Sequence, residues 1–208
     1  VEHLEILKKY NFKNIIDIGA NNGQFTLAAL FIYNNKNIHL FEPLPNCNII
    51  LQKLFTNSDL VNINNYALGN KHMTCPMFET VVDHSSSILR PGIITNYFKS
   101  TNVQNKTSIN VKPSSIIKND FLDNSFVKID VQGYELEVLK GFKNKISLIK
   151  YIYIELSTIE LYENQPTYFE VNSYLNQHNF VQIKKINTLI KNNIQLQSDY
   201  LYENHKFL

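Results

Sequence analysis

Short runs of Ile, Val and Leu alternate along this chain with stretches whose apolar residues recur every three or four positions. The first pattern predicts buried strands and the second predicts amphipathic helices. Val1–Phe12 puts Leu4, Leu7 and Tyr10 on one helical face, with Lys8 and Lys9 toward water. A strand follows over Ile15–Gly19. Next comes a helix over Gln24–Tyr33, where Phe25, Leu27, Ala28, Leu30 and Phe31 form a broad apolar face. Ile38–Glu42 is the second strand. Pro45 opens another helix that runs through Phe55, since proline suits a first helical turn. A third strand lies within Val61–Leu68.

The rhythm then breaks. Met73–Val82 reads as extended, His84–Ser87 as a polar loop, and no clean period runs on to Lys106. Ser108–Lys112 alternates like a strand. A long irregular stretch in a compact domain is characteristic of a lid or binding loop, here residues 83–107. Regular order returns with a strand over Ser125–Val131, a helix over Tyr134–Phe142 and a strand over Leu148–Leu156. A helix over Pro166–Gln177 is expected to bury Phe169, Val171 and Leu175, and strands over Phe180–Ile186 and Gln195–Tyr202 close the chain. Strands alternating with helices predict an α/β fold, a Rossmann-like doubly wound sheet in one domain over residues 1–208.

Composition narrows the partners. With 44% hydrophobic residues, 208 residues can bury a sizeable core. The net charge is +2 and Arg90 is the only arginine. Nucleic-acid readers lean on arginine forks for phosphates and base edges, so no nucleic-acid partner is expected. Cys47 and Cys75 make neither a disulfide framework nor a zinc cluster, which fits reduced thiols and a cytoplasmic location. The longest apolar run, Leu27–Tyr33, is far short of a membrane span. The chain begins at Val1 rather than Met, as a piece of a longer protein would.

The first strand ends in Asp17-Ile18-Gly19-Ala20-Asn21-Asn22-Gly23, a glycine-bearing loop that opens a helix. Such a turn brings backbone close to a ligand and offers free N–H groups. Glu42 follows Gly23 by nineteen residues, close to the spacing of about 20 at which a carboxylate meets ribose hydroxyls. The dinucleotide pattern G-x-G-x-x-G is not met, because Asn21 and Gln24 stand at its second and third glycines. A second group of charged residues, Lys128, Asp130 and Glu135, surrounds the carboxyl end of the Ser125–Val131 strand. That edge is where open α/β sheets bind ligands.

Taken together, these segments resemble the FkbM-type family of S-adenosylmethionine-dependent methyltransferases. The matching pieces are Asp17–Gly23, Phe41-Glu42-Pro43, Ala67-Leu68, Ser86-Ser87, Val127–Glu135, Leu139-Lys140-Gly141, Ile154-Glu155 and Asp199–Asn204, in the family's order. Two departures stand out. Gln132 occupies a position that is usually acidic, and Ser114-Ser115-Ile116 lies where a Leu-Asp pair is usual. The resemblance implies a seven-stranded class I methyltransferase sheet, with the irregular insertion between its third and fourth core strands. It also implies S-adenosyl-L-methionine as cofactor, and methyl transfer to a hydroxyl of a sugar, glycan or natural product.

On that reading Glu42 holds the ribose diol, and Pro43 follows it. Gly19, Ala20, Asn21, Asn22 and Gly23 wrap the methionine part, with Asp17 tied to its amino group directly or through water and Phe25 and Thr26 alongside. Ala67 and Leu68 border the adenine. Asp130 or Glu135 is the candidate base, with His84 as the alternative, and Glu155 faces the acceptor. Asp130 is also expected beside the cofactor, and Tyr97, Phe98 and Tyr134 are candidates to stack on a sugar. Asp130 and Glu155 alone do not define a metal site. A nicotinamide-dependent oxidoreductase and a non-catalytic domain that kept the fold are the competing readings.

Overall fold

The structure, a computed structural model, describes residues 8–207. The helix expected over Val1–Phe12 lies largely outside them. Strands β1 (Ile15–Ile18), β2 (Ile38–Phe41) and β3 (Val61–Asn64) alternate with helices α1 (Gln24–Ile32) and α2 (Pro45–Phe55). Three strands, β4 (Ala67–Gly69), β5 (Met73–Thr80) and β6 (Val103–Pro113), come next, with short α3 (Ile94–Tyr97) between the last two. The second half holds α4 (Asn119–Leu122), β7 (Ser125–Ile129), α5 (Glu135–Phe142), β8 (Ile149–Ser157) and α6 (Tyr168–Gln177). It ends in β9 (Phe180–Lys191) and β10 (Ile194–Asn204).

The main sheet has seven strands in the order β3-β2-β1-β7-β8-β10-β9. All pairs are parallel except those of β10, which runs antiparallel to β8 and β9. The order reverses between β1 and β7, and ligands bind outside the carboxyl ends of the strands at such a switch point.

Alternation along the central strands divides the core between two faces. Ile16, Ile18, Val127, Ile129, Ile152 and Ile154 pack under α5 and α6 with Val138, Leu139, Val171 and Leu175. Ile15, Phe126, Tyr151, Tyr153 and Leu201 point the other way, against Ala29 of α1 and Phe12. The α1 face therefore also receives positions 17, 128, 130, 153, 155 and 199, which are polar. Its core is polar just where β7 and β8 end.

Four expectations change. The irregular stretch expected over 83–107 ends earlier, because β6 begins at Val103. Residues 67–113 build a second sheet in the order β4-β6-β5, and the loop region 83–102 carries short helical turns. The first half of β6 gave no apolar signal because Val103–Lys106 are exposed. The expected Val61–Leu68 strand is divided between the two sheets. Phe31 and Phe169, expected to be buried, are 86% and 72% exposed, and Leu27 is exposed as well. Helix α1 instead buries Thr26 and Ala29. The last strands are longer than their apolar cores, because Asn192 and Asn193, both at positive φ, make a two-residue hairpin turn. Among the described residues, no helix is long and apolar enough to cross a membrane.

Candidate functional site

Two cavities meet at the switch point and share Gly19, Asn21, His84 and Asp130 in their walls. The smaller, about 620 Å³ with open solvent included, is mainly apolar and lies between the ends of β1 and β2 and the second sheet. Phe41, Leu44, Ala67, Leu68, Met77, Ile88, Val131 and Tyr134 line it, and Glu42 and Pro43 stand at its wall. The larger, about 1890 Å³ with open solvent included, is lined by Ala20, Asn22, Phe25, Val81, Val82, Lys128, Tyr153, Glu155 and Asp199.

The backbone of the first loop explains its glycine. Gly19 has φ +76, and a Cβ built there would sit 1.9 Å from the Asp130 carbonyl oxygen. The β1 and β7 loops touch backbone to backbone, and no side chain fits between them. Gly23 also has a positive φ, but its missing Cβ makes room for Leu51 and Phe55 of α2. It lines neither cavity.

Glu42 ends β2, is buried, and is held at both oxygens. Oε2 accepts the Asn21 N–H and Oε1 the Leu44 N–H, each at 2.8 Å. A carboxylate offers about four lone-pair sites, so two remain for a ligand at the small cavity. Burial pushes its pKa up to about 7, against the two backbone N–H bonds and Lys128, which pull it down.

Asp17 sits beneath the loop. It shares a face with Ile15, is fully buried, and lines neither cavity. Its Oδ2 accepts from Thr26 Oγ1 at 2.8 Å, and its Oδ1 lies 3.2 Å from Lys128 Nζ. Asp17 and Thr26 thus tie the loop to α1 from below. Lys128 Nζ also donates to the Gly19 carbonyl at 2.6 Å and lies 3.6 Å from Asp130 Oδ2. Burial alone would lower the pKa of this lysine. Asp17 and Asp130 outweigh that and hold it above its ordinary value.

Glu135 is held by backbone at the start of α5. Its Oε1 accepts the N–H groups of Val131 (3.2 Å) and Gly133 (2.9 Å), and it too lines neither cavity. It closes the loop at the start of α5, where a carboxylate complements the helix N-terminus. Burial raises its pKa to about 7. Tyr97 and Phe98 pack in a separate cluster with Ile94, Leu161 and Tyr162, away from both cavities.

Asp130, Glu155 and His84 do come together at the larger cavity. Gln132 Nε2 bridges the first two, at 2.8 Å to Asp130 Oδ1 and 2.9 Å to Glu155 Oε2. Glu155 Oε1 accepts from Gln197 Nε2 at 2.6 Å. Burial, then Asp130 and Asp199, raises the Glu155 pKa well above the usual carboxylate range. Tyr153 donates to Asp199 Oδ2 at 2.7 Å.

Tyr153 and Asp199 were not expected at the site, although alternation from Tyr151 put a signal on Tyr153 and Asp199 opens the matching piece Asp199–Asn204. Asp199 gave less warning, because β10 must fold back beside β8 to bring Asp199 opposite Glu155. Met77 and Ile88 come from the insertion and had no signal at all. Among the described residues, no group of three or more His, Cys, Asp or Glu could hold a metal ion.

The sheet order, the crevice and the carboxylate ending β2 define a Rossmann-like class I methyltransferase fold. Solved structures of that class match nearly the whole chain. A candidate RNA methyltransferase from Pyrococcus horikoshii aligns with 98% of this chain and 82% of its own, at 12% identity and TM-score 0.55. A Streptococcus pneumoniae protein, a candidate tRNA (m1A22) methyltransferase in complex with S-adenosyl-L-methionine, aligns over 98% and 72% at 8% identity and TM-score 0.55. Magnesium protoporphyrin IX methyltransferase from Synechocystis, with bound SAM, aligns over 98% and 78% at 6% identity and TM-score 0.54. At these identities the likeness is one of fold. The sequence itself matches the methyltransferase FkbM domain over residues 17–181, and the chain belongs to that family. No curated protein matches it.

Proposed function

We propose that this protein transfers a methyl group from S-adenosyl-L-methionine to a hydroxyl of a sugar, glycan or natural-product acceptor. The observation that carries the donor half is Glu42, a buried carboxylate with spare lone pairs at the end of β2, beside an apolar cavity. The bound donor supplies a methyl carbon already activated on a sulfonium. Glu42 accepts from the ribose diol. Leu68, Phe41 and Ile88 enclose the adenine with Ala67 and Pro43. The backbone of Gly19–Asn22 runs along the methionine part, and Asp130 borders both cavities where donor and acceptor meet.

The acceptor half rests on the larger cavity. Asp130, Glu155 and Asp199 present oxygens that suit hydroxyl donors. The lysine in its wall, Lys128, is committed to Asp17, Asp130 and the Gly19 carbonyl, which leaves it poorly placed for a phosphate. Arg90 is exposed and beside Glu163, at 3.7 Å. These features favour an uncharged polyol over a nucleic acid. Asp130 takes the hydroxyl proton as the acceptor oxygen attacks, with His84 across the cavity as the alternative base.

Two results are expected. Labelled methyl enters a glycan or sugar fraction as a base-stable ether, and total RNA stays unlabelled; label in RNA alone would contradict the acceptor assignment. Glu42→Ala weakens S-adenosylhomocysteine binding by more than about tenfold, the worth of a hydrogen bond to a charged group. Equal affinity in calorimetry would remove Glu42 from the ribose. The wild-type affinity also depends on pH. Ribose hydroxyls favour the ionised carboxylate, so binding weakens as pH falls below about 7, the value at which Glu42 takes up its proton.

A further inference from the structure

The turn after β7 places a glutamine where backbone geometry alone would not. Gln132 has φ +53, in the left-handed region that disfavours a side chain of its kind. Its side-chain amide and its backbone carbonyl are both engaged. The two Nε2 hydrogens go to different carboxylates, Asp130 Oδ1 at 2.8 Å and Glu155 Oε2 at 2.9 Å. Oε1 lies 2.8 Å from the Tyr162 hydroxyl, which is also 3.0 Å from the Ser85 carbonyl, so its one proton serves either acceptor. The backbone carbonyl accepts from Ser87 Oγ at 2.6 Å. Turning the amide over would set its oxygen against two carboxylates, so its orientation is fixed.

The geometry points to Gln132 as a positioning residue: a neutral bridge that holds Asp130 and Glu155 at a fixed separation and supplies each with a hydrogen-bond donor. Both carboxylates lie in the wall of the larger cavity, and the bridge leaves them in place for acid–base work without adding charge. The groups facing Glu155 are Asp130 beyond β7, Asp199 on β10, Glu135 at the start of α5, Tyr162, Tyr153 on β8 and Lys128 on β7, with His84 in the same cavity wall. Burial raises the Glu155 pKa most, the carboxylates add to that, and the Gln132 bond opposes them. A carboxylate that keeps its donor ionises at lower pH than one that loses it.

This assignment rests on the methyltransferase reading only for the use made of the pair, so its test needs no acceptor. The carboxyl carbons of Glu155 and Asp130 are followed by carbon-13 NMR as a function of pH in the full chain and in Gln132→Met. Loss of the bridge lowers the ionised-to-protonated ratio of Glu155 by about tenfold at a given pH, the worth of one hydrogen bond to a charge. Gln132→Asn is the second variant. Asparagine tolerates the left-handed backbone, but it is one methylene shorter and cannot span both carboxylates. It shifts the same signal in the same direction. Titration curves that superimpose on the wild type in a folded variant overturn the proposal. S-adenosylhomocysteine binding by the wild type is measured in parallel: its absence would undo the methyltransferase reading and leave the bridge standing.

Discussion

Gly19→Ala is expected to cost more than about 4 kcal/mol of stability, a range reached by few single substitutions. A left-handed backbone carrying a Cβ costs about 1–2 kcal/mol by itself. The larger part comes from the clash. The new methyl would lie 1.9 Å from the Asp130 carbonyl oxygen, a backbone atom that cannot swing aside. Either β7 separates from β1, breaking the bond from Asp130 N–H to the Ile18 carbonyl, or the loop leaves its cradle. Both outcomes displace Asp130 and open the junction of the two cavities. Urea unfolding reads the stability loss, and calorimetry with S-adenosylhomocysteine reads the loss of donor binding. A variant as stable as the wild type, with the same affinity, would show that the loops do not touch as described.

Asp130→Asn is expected to reduce turnover by about 10²- to 10⁴-fold, the usual contribution of a positioned base. Asparagine has the same shape and can still accept from Gln132 through its oxygen, so the fold stays intact. Lys128 keeps Asp17 as its partner. Donor affinity should therefore change little while the rate of labelled-methyl transfer collapses. A rate near that of the wild type would remove Asp130 as the base and leave His84 or Glu155 to carry the proton.

Much of the fold was legible because parallel strands buried on both faces read as unbroken apolar runs. Ile15–Ile18 and Phe126–Ile129 come close to that, each interrupted by a single charged residue, Asp17 and Lys128. The second sheet was legible only as separate strands over Met73–Val82 and Ser108–Lys112, because the first half of β6 is exposed and finds its partners in β5 rather than in a core. Period alone also misled on Phe31 and Phe169, since it marks an apolar stripe without saying which part of it meets the sheet. In the site, Glu42 followed from its spacing to Gly23. Asp17 was expected near the donor's amino group and Glu135 as a candidate base, but their backbone surroundings were not legible. Strand parity places Asp17 under the loop, against α1. The left-handed pair Gln132-Gly133 turns the chain so that Glu135 receives backbone N–H groups. Asp199 needed the antiparallel return of β10, which no local pattern announces.

The central claim is that the crevice between Gly19 and Glu42 holds an adenosyl sulfonium donor. Titration of the wild-type chain with S-adenosylhomocysteine and, separately, with NAD tests it most directly. The account predicts saturable one-to-one binding of the homocysteine nucleoside that is lost in Glu42→Ala, and no comparable heat with NAD. Saturable binding of NAD with none of S-adenosylhomocysteine would contradict it.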